Sequence, residues 1–275
     1  MTRKICVSYL RARKEALPLE EHVLQNNRAE FTRQAATFAE SAVLGAPEQI
    51  QPVLQAVDIH PHDRVLDVGC GTGFLLVGAA ERAAQVVGFD ATPAMLNEAR
   101  KRVEAAGLAN VTLREGNAEA MPFADERFDV VLCRLMLHHL ADPQRVLCEI
   151  HRVLKPGGRL ALCDIIAADD PGKADLHNRL ERLRDPSHVQ HYAGAAMLRM
   201  MERVGFRVTG AEYWQTLRHF GEWVGLASVR PEVVPALKSF LGSLIEGDAA
   251  GIQAGRAADG EMTFVHHWMV VAGVK

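Results

Sequence analysis

Gly69, Gly71 and Gly73 fall at alternate positions in RVLDVGCGTG (64–73), with Asp67 just ahead of them and Asp90 closing the later stretch QVVGFD (85–90). A glycine turn after a buried strand lets a ligand approach the backbone closely. It can serve a dinucleotide, a phosphate, or a ligand with no phosphate. The dinucleotide spacing is G-x-G-x-x-G, with two residues between the second and third glycines. Here a single residue, Thr72, separates them. A carboxylate at Asp67 would repel a pyrophosphate and suits a ligand carrying an ammonium and a sulfonium. An acidic side chain at the end of the second strand can accept from both hydroxyls of a ribose. The pattern therefore reads as a site for a cationic adenosyl compound.

These residues need strand ends and turns to hold them. RVLDVGC, QVVGFD, VTLREG, FDVVLCR and RLALCDII read as strands. FLLVGAAERA, PAMLNEARKRVEAAG and DPQRVLCEIHRVLK between them read as helices. Thr92 before Pro93 and Asp142 before Pro143 are placed as N-caps, and Pro156-Gly157-Gly158 stops the third helix. Near-continuous apolar strands alternating with helices predict a parallel sheet covered on both faces. FRVTGAEYWQT and EMTFVHHWMVVAGV read as two further strands, the last predicting an antiparallel partner at the sheet edge. Helical segments over about 27–58, 167–200 and 218–259 are read as a cap. One domain over 27–275 follows a leader at 1–26.

The stretches VLDVGCGTG, GFDATPAMLNEAR, REGNAEAMPFADERFDVVLCRLMLHHL and EIHRVLKPGGRLALCDI resemble, in order and spacing, the class I S-adenosylmethionine-dependent methyltransferases. The resemblance is greatest to the branch with ubiquinone- and menaquinone-type C-methyltransferases and natural-product O- and N-methyltransferases. It implies a Rossmann-like, doubly wound α/β fold: a seven-stranded, mostly parallel sheet with an antiparallel last strand. S-adenosylmethionine would be the cofactor and S-adenosylhomocysteine the product. The resemblance further implies that Asp67, Gly69, Cys70, Gly71, Thr72 and Gly73 surround the methionine moiety, and that Asp90 and Ala91 meet the ribose. Met95 would lie near the adenine, with Asn117, Ala118 and Glu119 along its edge, and Arg134 beside the methyl group. The family usually has an acidic residue at the place of Asn117, whose side-chain oxygen can still accept a hydrogen bond.

Methyl transfer is an in-line displacement, and a hydroxyl nucleophile must also lose a proton. His138 and His139 follow the fourth strand, and an imidazole suits general-base work near neutrality. Asp164, at the end of the fifth strand, could orient one of them. Some sugar O-methyltransferases of this branch use a His pair and an Asp at matching places. RDPSHVQHY (184–192) lies where the family puts a substrate lid, making His188, His191 and Tyr192 candidates for acceptor contact. Phe31, Phe38, Phe220 and Trp223 would supply apolar cover.

The 275 residues are 48% apolar and 24% charged, with a net charge of −3. That balance is ordinary for a soluble globular chain and argues against a nucleic-acid partner. The Asn-Pro-Pro-aromatic motif of nucleobase amino-methylating enzymes is missing after the fourth strand. No apolar run reaches membrane-spanning length, and the short apolar run near the N-terminus fits no signal peptide. A cytoplasmic enzyme with a small-molecule substrate is expected, with a homodimer left open. Five cysteines without a C-x-x-C pair read as reduced, and no metal is expected. The alternatives are a protein that keeps the donor structurally or without catalysis, and a nicotinamide oxidoreductase on a related sheet.

Overall fold

The computed structural model describes Cys6, Tyr9 and residues 18–275. The chain enters through helix α1 (Pro18–Ala39) and α2 (Pro47–Gln55). It then alternates through β1 (Arg64–Val68), α3 (Phe74–Ala80), β2 (Gln85–Asp90), α4 (Pro93–Ala105), β3 (Val111–Glu115), β4 (Phe128–Arg134), α5 (Pro143–Val153) and β5 (Leu154–Ile166). The rest comprises α6 (Pro171–Arg184), α7 (Gly194–Val204), β6 (Arg207–His219), α8 (Phe220–Leu226), α9 (Val234–Ser243), β7 (Gly255–Arg256) and β8 (Met262–Val274). Most of the leader (1–17, apart from Cys6 and Tyr9) lies outside the described residues. Its last part, Pro18–Asn26, is the start of α1.

The strand order is β3-β2-β1-β4-β5-β8-β6, with the two-residue β7 pairing β8 and bringing the count to eight. β1 to β5 pair in parallel, and β8 runs antiparallel to both β5 and β6. The expected antiparallel last strand is therefore present, but it does not lie at the edge. β8 is buried on both faces, whereas β6 is largely exposed and forms the edge. The reason is legible in FVHHWMVVAGV: a strand apolar on both faces must be covered on both.

Two cores sandwich the sheet. One packs α5 and α7 through Val146, Leu147, Ile150, Met197 and Met201. The other packs α2, α3 and α4 through Val53, Leu54, Leu76, Ala79, Leu96 and Ala99. Asp142 caps α5 by accepting from the Arg145 N–H at 3.2 Å, whereas Thr92 sits at the N-cap of α4 without a side-chain capping bond. A third core lies under the late helices and contains Leu180, Phe220, Trp223, Leu237, Leu241 and Phe264. All five cysteines are buried free thiols.

From β1 the chain builds outward through β2 and β3, then reverses through β4 and β5. The carboxyl ends of β1 and β4 therefore diverge at a switch point, where open α/β sheets hold their ligands. Val68 pairs Cys133 and Arg134 pairs Cys163, so the glycine turn, Arg134 and the end of β5 meet on one sheet edge.

Candidate functional site

At that switch point lies a cavity that is partly open to solvent. Its floor includes Asp67, Gly69, Cys70, Gly71, Thr72, Asp90, Ala91, Met95, Asn117, Ala118 and Arg134. Among the sequence candidates for the donor site, Gly73 and Glu119 stand off this wall. Glu119 instead belongs to a buried cluster: Arg145 bonds its carbonyl at 3.1 Å and pairs with Glu20 at 3.2 Å.

The turn is shaped by backbone that only glycine adopts comfortably. Gly69 has φ +70°, and a Cβ there would stand 2.8 Å from the Met136 sulfur. Gly71 has φ +51° and nothing within 4 Å of where a Cβ would project, so its backbone faces open space. Asp90 ties the turn to α4: one carboxylate oxygen accepts from the Gly71 N–H at 2.9 Å, the other from the Thr92 N–H at 2.8 Å. Burial raises the Asp90 carboxyl, and these N–H groups draw it back.

Asp67 is 2% exposed, and its Oδ2 has no hydrogen-bond partner. Burial pushes its carboxyl up to about 7, with Arg134 drawing it down and Asp90 adding to the rise. A buried, unsatisfied carboxylate oxygen costs on the order of 1–3 kcal/mol. It is the kind of group a cationic ligand completes. Asn117 uses its side-chain oxygen to accept from the Glu119 N–H at 2.9 Å, capping a short 3₁₀ turn.

The family model described as a methyltransferase domain matches residues 59–220. The chain belongs to the class I S-adenosylmethionine-dependent methyltransferases. It is 30% identical over 198 residues to the uncharacterized methyltransferase YcgJ of Bacillus subtilis, covering 72% of this chain and 78% of that one. The YcgJ crystal structure superposes with a TM-score of 0.76 at 26% identity, covering 82% of this chain and 96% of that one. A demethylmenaquinone methyltransferase of Listeria welshimeri is 39% identical over 132 residues, 47% of this chain and 56% of that one. No helix among the described residues is long and apolar enough to cross a membrane.

The upper wall of this methyltransferase's cavity is apolar, built from Leu24, Phe31, Phe38, Leu44, Phe74 and Leu140. Phe31 and Phe38 thus lie where the sequence put apolar cover. Phe220 and Trp223 do not; they fill the third core instead. Three polar anchors that no motif announced hold α1 over the site. Arg102 of α4 donates to the Thr72 carbonyl at 2.9 Å and the Ala39 carbonyl at 2.8 Å. Arg28 donates to the Ala91 carbonyl at 2.9 Å, and Asn27 to the His139 carbonyl at 2.8 Å.

Of the histidine pair, only His139 lines the cavity, with its ring edge-on to Phe31 at 4.7 Å. His138 lies behind it, ring centroids 4.0 Å apart, and its Nδ1 meets Asp164 Oδ1 at 2.6 Å. Burial lowers the His138 pKa, but the Asp164 charge and hydrogen bond outweigh it, and the net shift is upward. His139 is pushed down to about 4, by burial first and then by His138, with Asp185 pulling the other way.

The 184–192 segment reads as an exposed polar lid, yet His188 and His191 are buried. Neither they nor Tyr192 reach the cavity wall. His188 Nε2 meets Asn178 Oδ1 at 2.8 Å, and the His191 ring lies 4.7 Å from His138. The segment is drawn in because Asn178 of α6 also takes the His191 N–H at 2.6 Å, and the His138 carbonyl takes the Val189 N–H at 2.7 Å.

Deeper still, His177, Glu181 and His266 bring ligand-type atoms together. Arg218 lies 3.0 Å from His266 Nδ1 and can only donate. Nδ1 therefore accepts, and the ring proton sits on Nε2, facing Glu181 at 3.0 Å. In that tautomer His266 has no lone pair left for a cation.

Proposed function

We propose that this methyltransferase transfers the methyl group of S-adenosylmethionine to a hydroxyl-bearing, largely apolar small molecule. The observation that carries the reading is the single cavity joining an acidic, glycine-built floor to an aromatic wall with one imidazole. The buried, unpartnered oxygen of Asp67 suits the donor's ammonium, and the two oxygens of Asp90 suit the ribose hydroxyls. Met95 and Ala118 would flank the adenine, and the open backbone at Gly71 leaves room for the methionine chain. When bound, the donor supplies an electrophilic methyl group on a sulfonium.

The chain's own residues have three tasks. α1 and the wall of Phe31, Phe38 and Phe74 exclude water, which strengthens the electrostatics within. Phe31 and Leu140 orient a flat, apolar acceptor. His139 takes the hydroxyl proton on Nε2, which no described residue bonds. The oxygen is then methylated, or an adjoining carbon that the oxyanion activates. A neutral imidazole can accept the proton directly; the depressed pKa keeps the ring neutral across the physiological range and at the same time lowers its strength as a base.

The test combines donor affinity with turnover. Asp90→Ala is expected to weaken S-adenosylhomocysteine binding by about 1–3 kcal/mol in calorimetry, through loss of charged hydrogen bonds. His139→Ala is expected to bind the product normally yet lose transfer of labelled methyl to phenolic and other hydroxylated acceptors. Unchanged affinity in the first variant would contradict the ribose role. Full transfer in the second would remove the base.

A further inference from the structure

His139 is held by a segment that comes from a different part of the chain. Asp185 and Ser187 follow α6 and are 4% and 1% exposed. Ser187 Oγ donates to Asp185 Oδ1 at 2.6 Å, and the Ser187 N–H donates to the same oxygen at 2.9 Å. Opposite them, His139 Nδ1 lies 3.2 Å from Ser187 Oγ and 3.1 Å from the Ser187 carbonyl oxygen.

The donor and acceptor roles follow. A carboxylate can only accept, so the Ser187 hydroxyl proton belongs to Asp185. The hydroxyl oxygen then has only lone pairs to offer His139, and a carbonyl oxygen likewise only accepts. Both groups facing Nδ1 are acceptors. Nδ1 therefore carries the proton, and the lone pair is forced onto Nε2, on the side of the ring away from Ser187. The same loop also fixes the backbone, since the His138 carbonyl accepts from Val189 and Gln190. The arrangement is a carboxylate, a hydroxyl and an imidazole in series, the orienting logic by which a third group aligns a catalytic base.

We propose that Asp185 and Ser187 are positioning residues, which set the His139 tautomer and stabilise the imidazolium formed when it takes the acceptor's proton. The inference rests on the reading of His139 as the base. In the reaction the acceptor's hydroxyl proton goes to Nε2, the other proton stays on Nδ1 facing the Ser187 oxygens, and the Asp185 charge faces the new positive ring through the serine hydroxyl. The buried dyad His138–Asp164 is then a neighbour of the base and not the base itself.

The test needs no identified acceptor. Diethyl pyrocarbonate acylates unprotonated imidazole nitrogen, and mass spectrometry locates the adduct. On the intact protein, His139 should be modified, and bound S-adenosylhomocysteine should slow the reaction. Asp185→Asn and Ser187→Ala are each expected to slow acylation of His139 severalfold, because an imidazole that has lost its orienting carboxylate is less basic and a weaker nucleophile. Ser187→Thr, which keeps the hydroxyl, should react like the parent. Affinity for S-adenosylhomocysteine should stay within about twofold in all three, which shows that the fold is intact. A loop that merely clamps the site would give the opposite sign, because releasing it exposes the ring and speeds acylation. Faster or unchanged reaction in both variants overturns the proposal. So does a nitrogen-15 spectrum of the parent protein with the His139 proton on Nε2, whether or not the variants fold. Loss of S-adenosylhomocysteine binding by the parent would instead sink the donor reading.

Discussion

Asp67 carries an electrostatic consequence that a binding experiment can read near neutral pH. Its carboxyl, pushed up to about 7 by burial, is partly protonated at neutral pH in the empty protein. A folded-state value raised above the unfolded one contributes stability that is present below the unfolded value and is lost as pH rises through 7. The empty protein should therefore weaken over that range, and Asp67→Asn should stabilise it at pH 8 by on the order of 2 kcal/mol. A donor ammonium beside Asp67 would reverse this preference, because it would favour the ionised carboxylate. S-adenosylhomocysteine affinity should rise by up to about tenfold per pH unit below pH 7 and level off above it, with proton release on binding. Calorimetry in buffers of different ionisation enthalpy reads that proton directly. A flat affinity profile with no released proton would show that Asp67 does not face the ammonium.

At the scale of elements, the cap over the site depends on a few carbonyl anchors. Arg102 makes two of them and joins three elements: it lies on α4, holds the glycine turn at Thr72, and holds the end of α1 at Ala39, with its guanidinium 3.8 Å from the Phe74 ring centroid. Arg102→Ala removes two charge-assisted bonds and the ring contact. It should lower S-adenosylhomocysteine affinity by about 1–2 kcal/mol and raise proteolysis within α1; intact affinity and intact resistance would mean that α1 is held by its apolar face alone. No motif in the sequence singles out Arg102, because its role exists only once α1 has folded back across α4. The parts legible in the sequence are those set locally: the strand ends that carry Asp67, Asp90 and Arg134, the glycine turn, and the capped helices. The parts that were not legible depend on distant partners. RDPSHVQHY is polar enough to read as a surface lid, yet its two histidines are buried because Asn178 and the His138 carbonyl hold the segment inward. Phe220 and Trp223 look like pocket cover, yet Leu180, Leu237 and Phe264 supply a core of their own. The order β5-β8-β6 was half visible: the apolar character of β8 demands cover on both faces, but nothing local says that β6 provides it.

For the molecule as a whole, the site is a seam between layers. Its floor comes from the sheet's switch point, its wall from α1, and its one histidine, His139, from the turn after β4, clamped by the loop after α6. A ligand that fills the seam ties these layers together and binds only the folded chain, so it should raise the melting temperature by mass action. At about 100 times its dissociation constant S-adenosylhomocysteine contributes about 2.7 kcal/mol, which for a chain of this size corresponds to a rise of about 5 °C. The same measurement separates ligand classes. NADH carries a pyrophosphate, which would have to lie against Asp67, and its ribose would compete for the same Asp90. It should leave the melting temperature unchanged where S-adenosylhomocysteine raises it. Asp67→Asn removes the repulsive charge without adding any group that recognises a phosphate, so NADH should remain silent there too. A rise with NADH and none with S-adenosylhomocysteine would assign the seam to a dinucleotide.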